Sequence, residues 1–457
     1  MKTQRAGYGL FAALIALTLL ICAAIIATFA VTGPDHGQPA PAGAAAGPGT
    51  DPAAGPGTAG PAGTRPGGAT ARAVDTGGWA GTWSAAPGEA GTGPAGPHSV
   101  RNVVHTSLGG DQARITLSNL FGTEPLRVAH ASIAVAAASD GASVGASVVP
   151  GTLREVLFAG RPSAIVPPGG HVVGDPAPLP VPQDGHLLVT LHVPASGPAG
   201  TVTLHERASQ TSYLGPGDRT SDTDGSAFTH RTSAWHHLTA VDVHNPAARG
   251  AVVAIGDSLT DGAGSTPDTD RRWTDHLADR LHAGRWGYGV LNLGIGGNRL
   301  LQDGIGPSGL SRFERDVLDR SGARVVVIEL GINDIIRPPR PADPAAITAG
   351  LRTLTEQARA KGLRVVGTTL MPFEGHRRHT PELEAVREEV NQAVRAGRVF
   401  DDVIDFDRAV RDPYAPDRLL PAYDSGDHLH PNDAGYAQLA RSVDLAVLIG
   451  ERSAARL

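Results

Sequence analysis

The sequence predicts an α/β fold for its second half, a doubly wound parallel five-stranded sheet with flavodoxin-like layering, preceded by an all-β sandwich or jelly-roll domain. Three observations carry this. From residue 251 onward, short apolar runs alternate five times with amphipathic helical stretches, the signature of a parallel sheet covered by helices. Between residues 79 and 244, apolar and polar residues alternate with a period of two, broken by Gly/Pro turns and without a helical stretch. Finally, the polar residues with chemical potential in the second half stand directly after predicted strands, at the sheet edge where open α/β sheets bind ligands.

Composition sets the limits within which these domains work. A chain of 457 residues with a net charge of −6 and pI near 6.3 has no basic footprint, which argues against nucleic acid as a partner. A single cysteine, Cys22, rules out an intramolecular disulfide. Residues 9–31 are uncharged and mostly apolar, and as a helix would span about 35 Å, enough to cross a bilayer. With Lys2 and Arg5 before the run, the expected orientation is amino terminus inside and the bulk of the chain outside. A cleaved signal peptide ending near Thr28-Phe29-Ala30 is the rival to a membrane anchor; both imply export, to the cell surface or beyond. Residues 33–77 are nearly all Gly, Ala, Pro and Thr without periodicity, a composition that cannot offset its ordering entropy. The predicted organisation is therefore an anchor or signal peptide over 1–32, a disordered linker over 33–77, a β-domain over 78–246 and an α/β domain over 247–457.

In the β-domain, Ala113, Ile115 and Leu117 alternate with polar neighbours, as do Leu187, Val189, Leu191 and Val193. Trp79, Trp83 and Trp235 are expected to anchor the core, the alternative being an aromatic sugar-binding face. His105, His186, His192, His205, His236 and His237 are scattered, with no spacing that gathers three metal ligands. No metal or organic cofactor is implied anywhere in the chain.

The α/β domain opens with Ala251-Val252-Val253-Ala254-Ile255, a run for a strand buried on both faces, which stops at Gly256-Asp257-Ser258-Leu259. Trp273, Leu277, Ala278 and Leu281 share one helical face. Strands are predicted over 289–293 and 324–330, the second ending in Gly331-Ile332-Asn333-Asp334. A helix over 344–361, a strand over 364–370, a helix carrying Leu383, Val386, Val390 and Val394, and a strand over 403–406 follow. A loop bearing Asp427-His428-Leu429-His430-Pro431 precedes the closing helix. If the strands are parallel, Ser258, Gly297, Asn333, Asp427 and His430 lie on one edge of the sheet. A nucleophile, a base, a group to orient the base and donors for an oxyanion are what ester hydrolysis requires.

These blocks, Gly256-Asp257-Ser258-Leu259, Gly297, Gly331-Ile332-Asn333-Asp334 and Asp427-His428-Leu429-His430, resemble in order the four blocks of the SGNH, or GDSL, hydrolase superfamily. The β-domain, with Trp79-Ala80-Gly81-Thr82-Trp83 and Val104 to Gly110, is similar to a branch of bacterial secreted esterases, including acyl hydrolases encoded beside xylan-degrading enzymes. The resemblance implies a serine esterase in which Ser258 is the nucleophile, His430 the general base and Asp427 its orienting carboxylate. It also implies an oxyanion hole made of the backbone N–H groups of Ser258 and Gly297 and the Asn333 amide. Asp257 has only a loop-building role in this reading. His428 is the rival base, and a metal held by Asp427, His428 and His430 the rival chemistry. Asn333 as a mere cap of the turn before Pro338 is a third alternative. Asp334, Asp405 and Asp407 are expected in turns and caps. Arg299, Arg312, Met371 and Phe373 are expected on loops bordering the pocket, with Arg299, Met371 and Phe373 as candidate substrate contacts. The expected substrate is a small ester or an acylated polysaccharide, with carbohydrate acetyl groups foremost. The alternatives are a long-chain ester cleaved at the membrane surface, or a non-catalytic cell-wall or sugar-binding module.

Overall fold

The computed structural model describes residues 77–88, 94, 96–138, 143–194, 202–337 and 343–451. The expected anchor or signal and the linker up to residue 76 lie outside these. Among the described residues no helix is long and apolar enough to cross a membrane.

The second half is built on five parallel strands, β1 (Gly250–Gly256), β2 (Tyr288–Gly294), β3 (Ala323–Glu329), β4 (Arg364–Thr368) and β5 (Asp402–Ile404). Their spatial order is β2-β1-β3-β4-β5. Every residue of β1 is buried, which is why the sequence there is an unbroken apolar run rather than an alternation. Val253 lies opposite Leu291 on one side and Val326 on the other, fixing the register of the three central strands. The chain leaves β1 toward one edge of the sheet and returns on its other side as β3. Right-handed crossovers therefore place the Trp273–Ala283 helix on one face and the Pro344–Ala360 and Pro381–Arg395 helices on the other. The carboxyl end of β1 is thus a topological switch point, where the sheet opens a crevice.

Local chemistry sets the element ends. Asp343 caps its helix by accepting the Ala345 N–H and Thr380 by accepting the Leu383 N–H, each followed by a proline at the first helical position. The fourth strand is shorter than expected because Leu370 is drawn out of the ladder. Its N–H donates to Asn391 Oδ1, and its carbonyl accepts from Arg387 and Asn391. The fifth strand stops at Ile404 because Asp405 caps the next helix through the Arg408 N–H.

The first half is mostly β. One antiparallel sheet joins Trp79–Ser84, Leu238–His244, Gly110–Ser118, His171–Val173 and Ala177–Val181. A six-stranded sheet runs through His230–Thr232, Ser212–Pro216, His98–Thr106, Gly185–Val193, His130–Val135 and Arg154–Glu155. Ile115, Leu117 and Val241 of the first share a core with Val104, Ile133 and Leu191 of the second, so the two sheets form a sandwich. Trp83 and Trp235 are buried in that core, edge to face at 4.9 Å, with the Trp235 indole N–H donating to the Val103 carbonyl. Trp79 is half-buried beneath the Arg114 guanidinium. The three tryptophans are packing residues, and the sugar-face alternative does not hold.

The two halves are joined by polar contacts as well as packing. β2 is an edge strand, and Ser107 covers its outer side: its hydroxyl accepts the Val290 N–H at 2.8 Å while its one hydrogen is shared between the Thr82 carbonyl at 2.6 Å and the Val290 carbonyl at 3.1 Å. Gly289 must be a glycine, since a Cβ there would lie 2.2 Å from the Gly81 carbonyl oxygen. Arg114 and Ser321 both donate to Asp242, at 3.0 and 2.7 Å. The scattered histidines are corrected at one place. Topology brings His105 and His186 from neighbouring strands against Asp270 of the α/β domain, with ligand-type atoms within 4.8 Å of one another. His186 Nε2 lies 2.9 Å from Asp270 and His105 Nε2 2.9 Å from Asp184. Cross-strand pairing made this cluster, and no linear spacing announced it.

Candidate active site

The serine stands at the carboxyl end of β1 because the backbone turns there at once. Asp257 accepts the Leu259 N–H at 3.0 Å and so starts the short Ser258–Asp261 helix. Gly256 permits the tight return, since a Cβ there would lie 2.2 Å from Thr260 Oγ1. Across the sheet edge, His430 Nε2 lies 2.8 Å from Ser258 Oγ, and His430 Nδ1 lies 2.6 Å from Asp427 Oδ2. With the proton on Nδ1 donated to Asp427, Nε2 is left to accept the serine hydroxyl. The other Asp427 oxygen accepts the backbone N–H groups of Leu429 and His430, so the carboxylate folds the loop that carries its own histidine. Burial alone would push Asp427 up, but the hydrogen bonds from the His430 ring and these backbone groups hold it well below the usual carboxylate range. His428 does not compete for the serine: with φ +64°, it pairs instead with Asp424 at 2.6 Å.

The donors expected for an oxyanion converge on the same serine. Gly297 has φ +79°, a backbone suited to glycine, and a Cβ there would collide with the Arg337 guanidinium. Neither its N–H nor that of Ser258 has an acceptor among the described residues. Asn333 is held from both sides: its amide donates to Asp257 Oδ2 at 3.0 Å, and its carbonyl oxygen accepts from Arg337 Nε at 2.9 Å. One amide hydrogen remains unused. The Asn333 side chain therefore does not cap a turn. Its neighbour Asp334 accepts the N–H groups of Leu300 and Leu301, tying the loop after Gly297 to the Asn333 helix. Asp261 does the same from the other side, accepting the Gly296 N–H at 3.0 Å while paired with the buried His205 of the β-domain.

Beneath the serine lies a buried acidic floor. Asp257 is fully buried, and Glu329 at the end of β3 accepts from Thr260 Oγ1. Burial raises both carboxyls well above their ordinary values, with the Asp257 charge raising Glu329 further and the Asp334 charge raising Asp257. Arg312, 0 % exposed, donates to the carbonyls of Gly256 and Leu293 and to Asp316. It secures two strand ends from below and does not border the pocket.

A cavity of about 450 Å³ opens over Ser258, lined by Asn333, Arg337, His376, Arg378 and His430 among others. Size does not single it out, for an equally large cleft beside Arg114, His171 and Arg320 carries none of these groups. Met371 and Phe373, expected to contact substrate, are instead fully buried in the core, Phe373 packing edge-on against His379. Arg299 is half-buried, hydrogen-bonded to Gln302, and is not part of the lining. Asp405 caps a helix as expected, whereas Asp407 is a buried ion-pair centre for Arg387, Arg395 and Arg411. Sequence reasoning missed Arg337, which no motif marks. It also missed the bond from Asn333 that gives Asp257 a positioning role.

Residues 254–438 match the model of the GDSL-like Lipase/Acylhydrolase family. No curated protein sequence matches the chain. Among solved structures, it is similar to Axe2, an acetylxylan esterase from Geobacillus stearothermophilus (23 % identity over 44 % of this chain and 94 % of that one, TM-score 0.34). It is also similar to Est24, a carbohydrate acetylesterase from Sinorhizobium meliloti (18 % identity over 42 % and 95 %, TM-score 0.34). A third is a member of the lipolytic protein G-D-S-L family from Veillonella parvula (21 % over 43 % and 96 %, TM-score 0.32). Residues 254–438, which carry the strand-end blocks, are therefore similar to the GDSL-like lipase/acylhydrolase family of hydrolytic enzymes.

Proposed function

We propose that this protein is an exported serine esterase that removes short acyl groups, with acetyl groups on carbohydrate as the foremost substrate class. The observation that carries the reading is the unbroken hydrogen-bond chain from Asp427 through His430 to Ser258 Oγ. In this mechanism Ser258 Oγ attacks the ester carbonyl carbon as His430 Nε2 takes its proton. The oxyanion that forms accepts hydrogen bonds from the Ser258 and Gly297 N–H groups and the spare Asn333 amide hydrogen. Collapse expels the alcohol, which receives the proton from His430. Water, deprotonated by the same histidine, then attacks the acyl-serine and releases the acid. Asp427 keeps the imidazole in the productive tautomer and stabilises its cation. A short acyl group is favoured because Ile336 and Leu429 are the only large apolar side chains among the described residues lining the cavity; a long chain would find little there to bury against.

Replacing Ser258 with Ala is expected to lower turnover of 4-nitrophenyl acetate on the order of 10³-fold or more. Unchanged hydrolysis by a folded S258A protein would refute the nucleophile. Rates on acetyl and long-chain esters separate the acetylesterase from the lipase reading.

A further inference from the structure

Building on the esterase reading of Ser258, we infer that the site selects esters bearing a negatively charged group, a carboxylate, sulfate or phosphate, within reach of the scissile carbonyl. Arginine is common in this protein, but most of its buried guanidinium groups are spent on carboxylates: Arg272 on Asp275, Arg312 on Asp316, Arg387 on Glu384. The arginines around Ser258 are not. Arg337, Arg377 and Arg378 line the cavity, and no carboxylate among the described residues is within salt-bridge distance of any of them.

Arg337 is the innermost. Its Nε is fixed on Asn333 Oδ1, so the fork itself is held over the oxyanion loop: Nη2 lies 2.2 Å from where a Cβ of Gly297 would be. Arg378 lies close behind, one nitrogen 3.3 Å from the Ile336 carbonyl. From the β-domain Arg207 arrives on the far side of the same turn, its Nη2 3.9 Å from a Cβ position on Gly296. Burial first, and then repulsion from Arg378, Arg299 and Arg207, lower the Arg337 pKa below the ordinary arginine value against the opposing pull of Asp257, although it remains a cation. In a chain of net charge −6, three arginines without a carboxylate partner among the described residues thus line one cavity, beside Asp427. Such a field raises the local concentration of an anionic ester, and a planar guanidinium fork matches an oxyacid.

The test pairs two acetyl esters of the same shape, 4-acetoxybenzoate and the neutral 4-acetoxybenzamide, at low ionic strength. The expected ratio of their kcat/KM values is about 10 or more in favour of the anion, shrinking toward unity as sodium chloride screens the cleft. Arg377 is exposed and Arg378 half-buried, so the double variant R377Q/R378Q should fold and should lower the ratio several-fold. A ratio near or below one in the wild-type protein, or one untouched by the double variant, overturns the inference. Acetylated polygalacturonate against acetylated xylan distinguishes sources: preference for the acidic polymer as well assigns an acidic glycan, while preference confined to the small pair assigns a small acidic ester. If neither small ester is hydrolysed, it is the esterase reading that fails, whereas equal hydrolysis of both leaves that reading standing.

Discussion

Two histidine–aspartate pairs flank the Gly296-Gly297 turn, and their difference separates the proposed reactive group from a fastener. His430 and Asp427 are held at 2.6 Å on an exposed loop, and the second ring nitrogen of His430 points at a hydroxyl. His205 and Asp261 are held at 3.0 Å in the interior, and the second ring nitrogen of His205 is taken by the Ala86 carbonyl. The same two side chains therefore leave one imidazole with a ring nitrogen facing a hydroxyl, as the proposed proton transfer needs, and the other with both nitrogens facing oxygen acceptors. Asp261 passes its fixation on to the Gly296 N–H, so the β-domain reaches the turn before Gly297 through the His205–Asp261 pair.

Substitutions at these pairs should break the comparison in opposite observables. Asp427→Asn keeps the shape but removes the charge that selects the tautomer. It is expected to lower kcat on the order of 10³- to 10⁴-fold with little change in thermal midpoint, by steady-state kinetics and melting on one preparation. Asp427→Asn with near wild-type kcat would remove it from the proposed triad. His205→Asn should act mainly on folding, costing about 3 kcal/mol because a buried aspartate loses its partner, with a smaller loss of turnover through the loosened Gly296 turn.

The pH dependence sharpens the same contrast. Burial disfavours charge on His205, but the Asp261 carboxylate and the hydrogen bonds to Asp261 and the Ala86 carbonyl outweigh it, so its pKa is raised. A raised histidine binds more protons folded than unfolded. Its contribution is complete below the unfolded value of about 6.5 and is lost as pH climbs through the folded value. The wild-type melting temperature should accordingly fall above neutrality more steeply than that of His205→Asn. The smallest effect is expected at the acidic floor. Glu329, raised by burial and by Asp257, is also over-protonated when folded, so its penalty sets in from about pH 4.5 upward. Glu329→Gln should melt higher than wild type at pH 8 and lose that advantage at pH 5. A constant offset across pH would mean the carboxyl ionises as freely folded as unfolded.

The parts of the site legible in the sequence are those written locally. An apolar run ending in Gly-Asp-Ser, or an aspartate three residues before its histidine, announces its geometry because backbone and side chain are set within one turn. What was not legible depends on contacts across many residues. The Asn333–Asp257 bond joins positions 76 apart, and the His105, His186 and Asp270 cluster needs a strand register and a domain contact. Met371 and Phe373 follow β4 and were expected to face the pocket. Their direction was decided instead by Arg387 and Asn391, which draw Leu370 inward and carry the following backbone into the core.

Ser107 carries a further consequence. Because a hydroxyl from the first half accepts the Val290 amide, a recombinant fragment starting near residue 247 would present raw main chain on its outermost strand. Such a fragment would be prone to stick to its own copies even with every side chain of the proposed site intact. A well-behaved preparation is therefore expected to need the stretch around Ser107 as well as the residues of the proposed site.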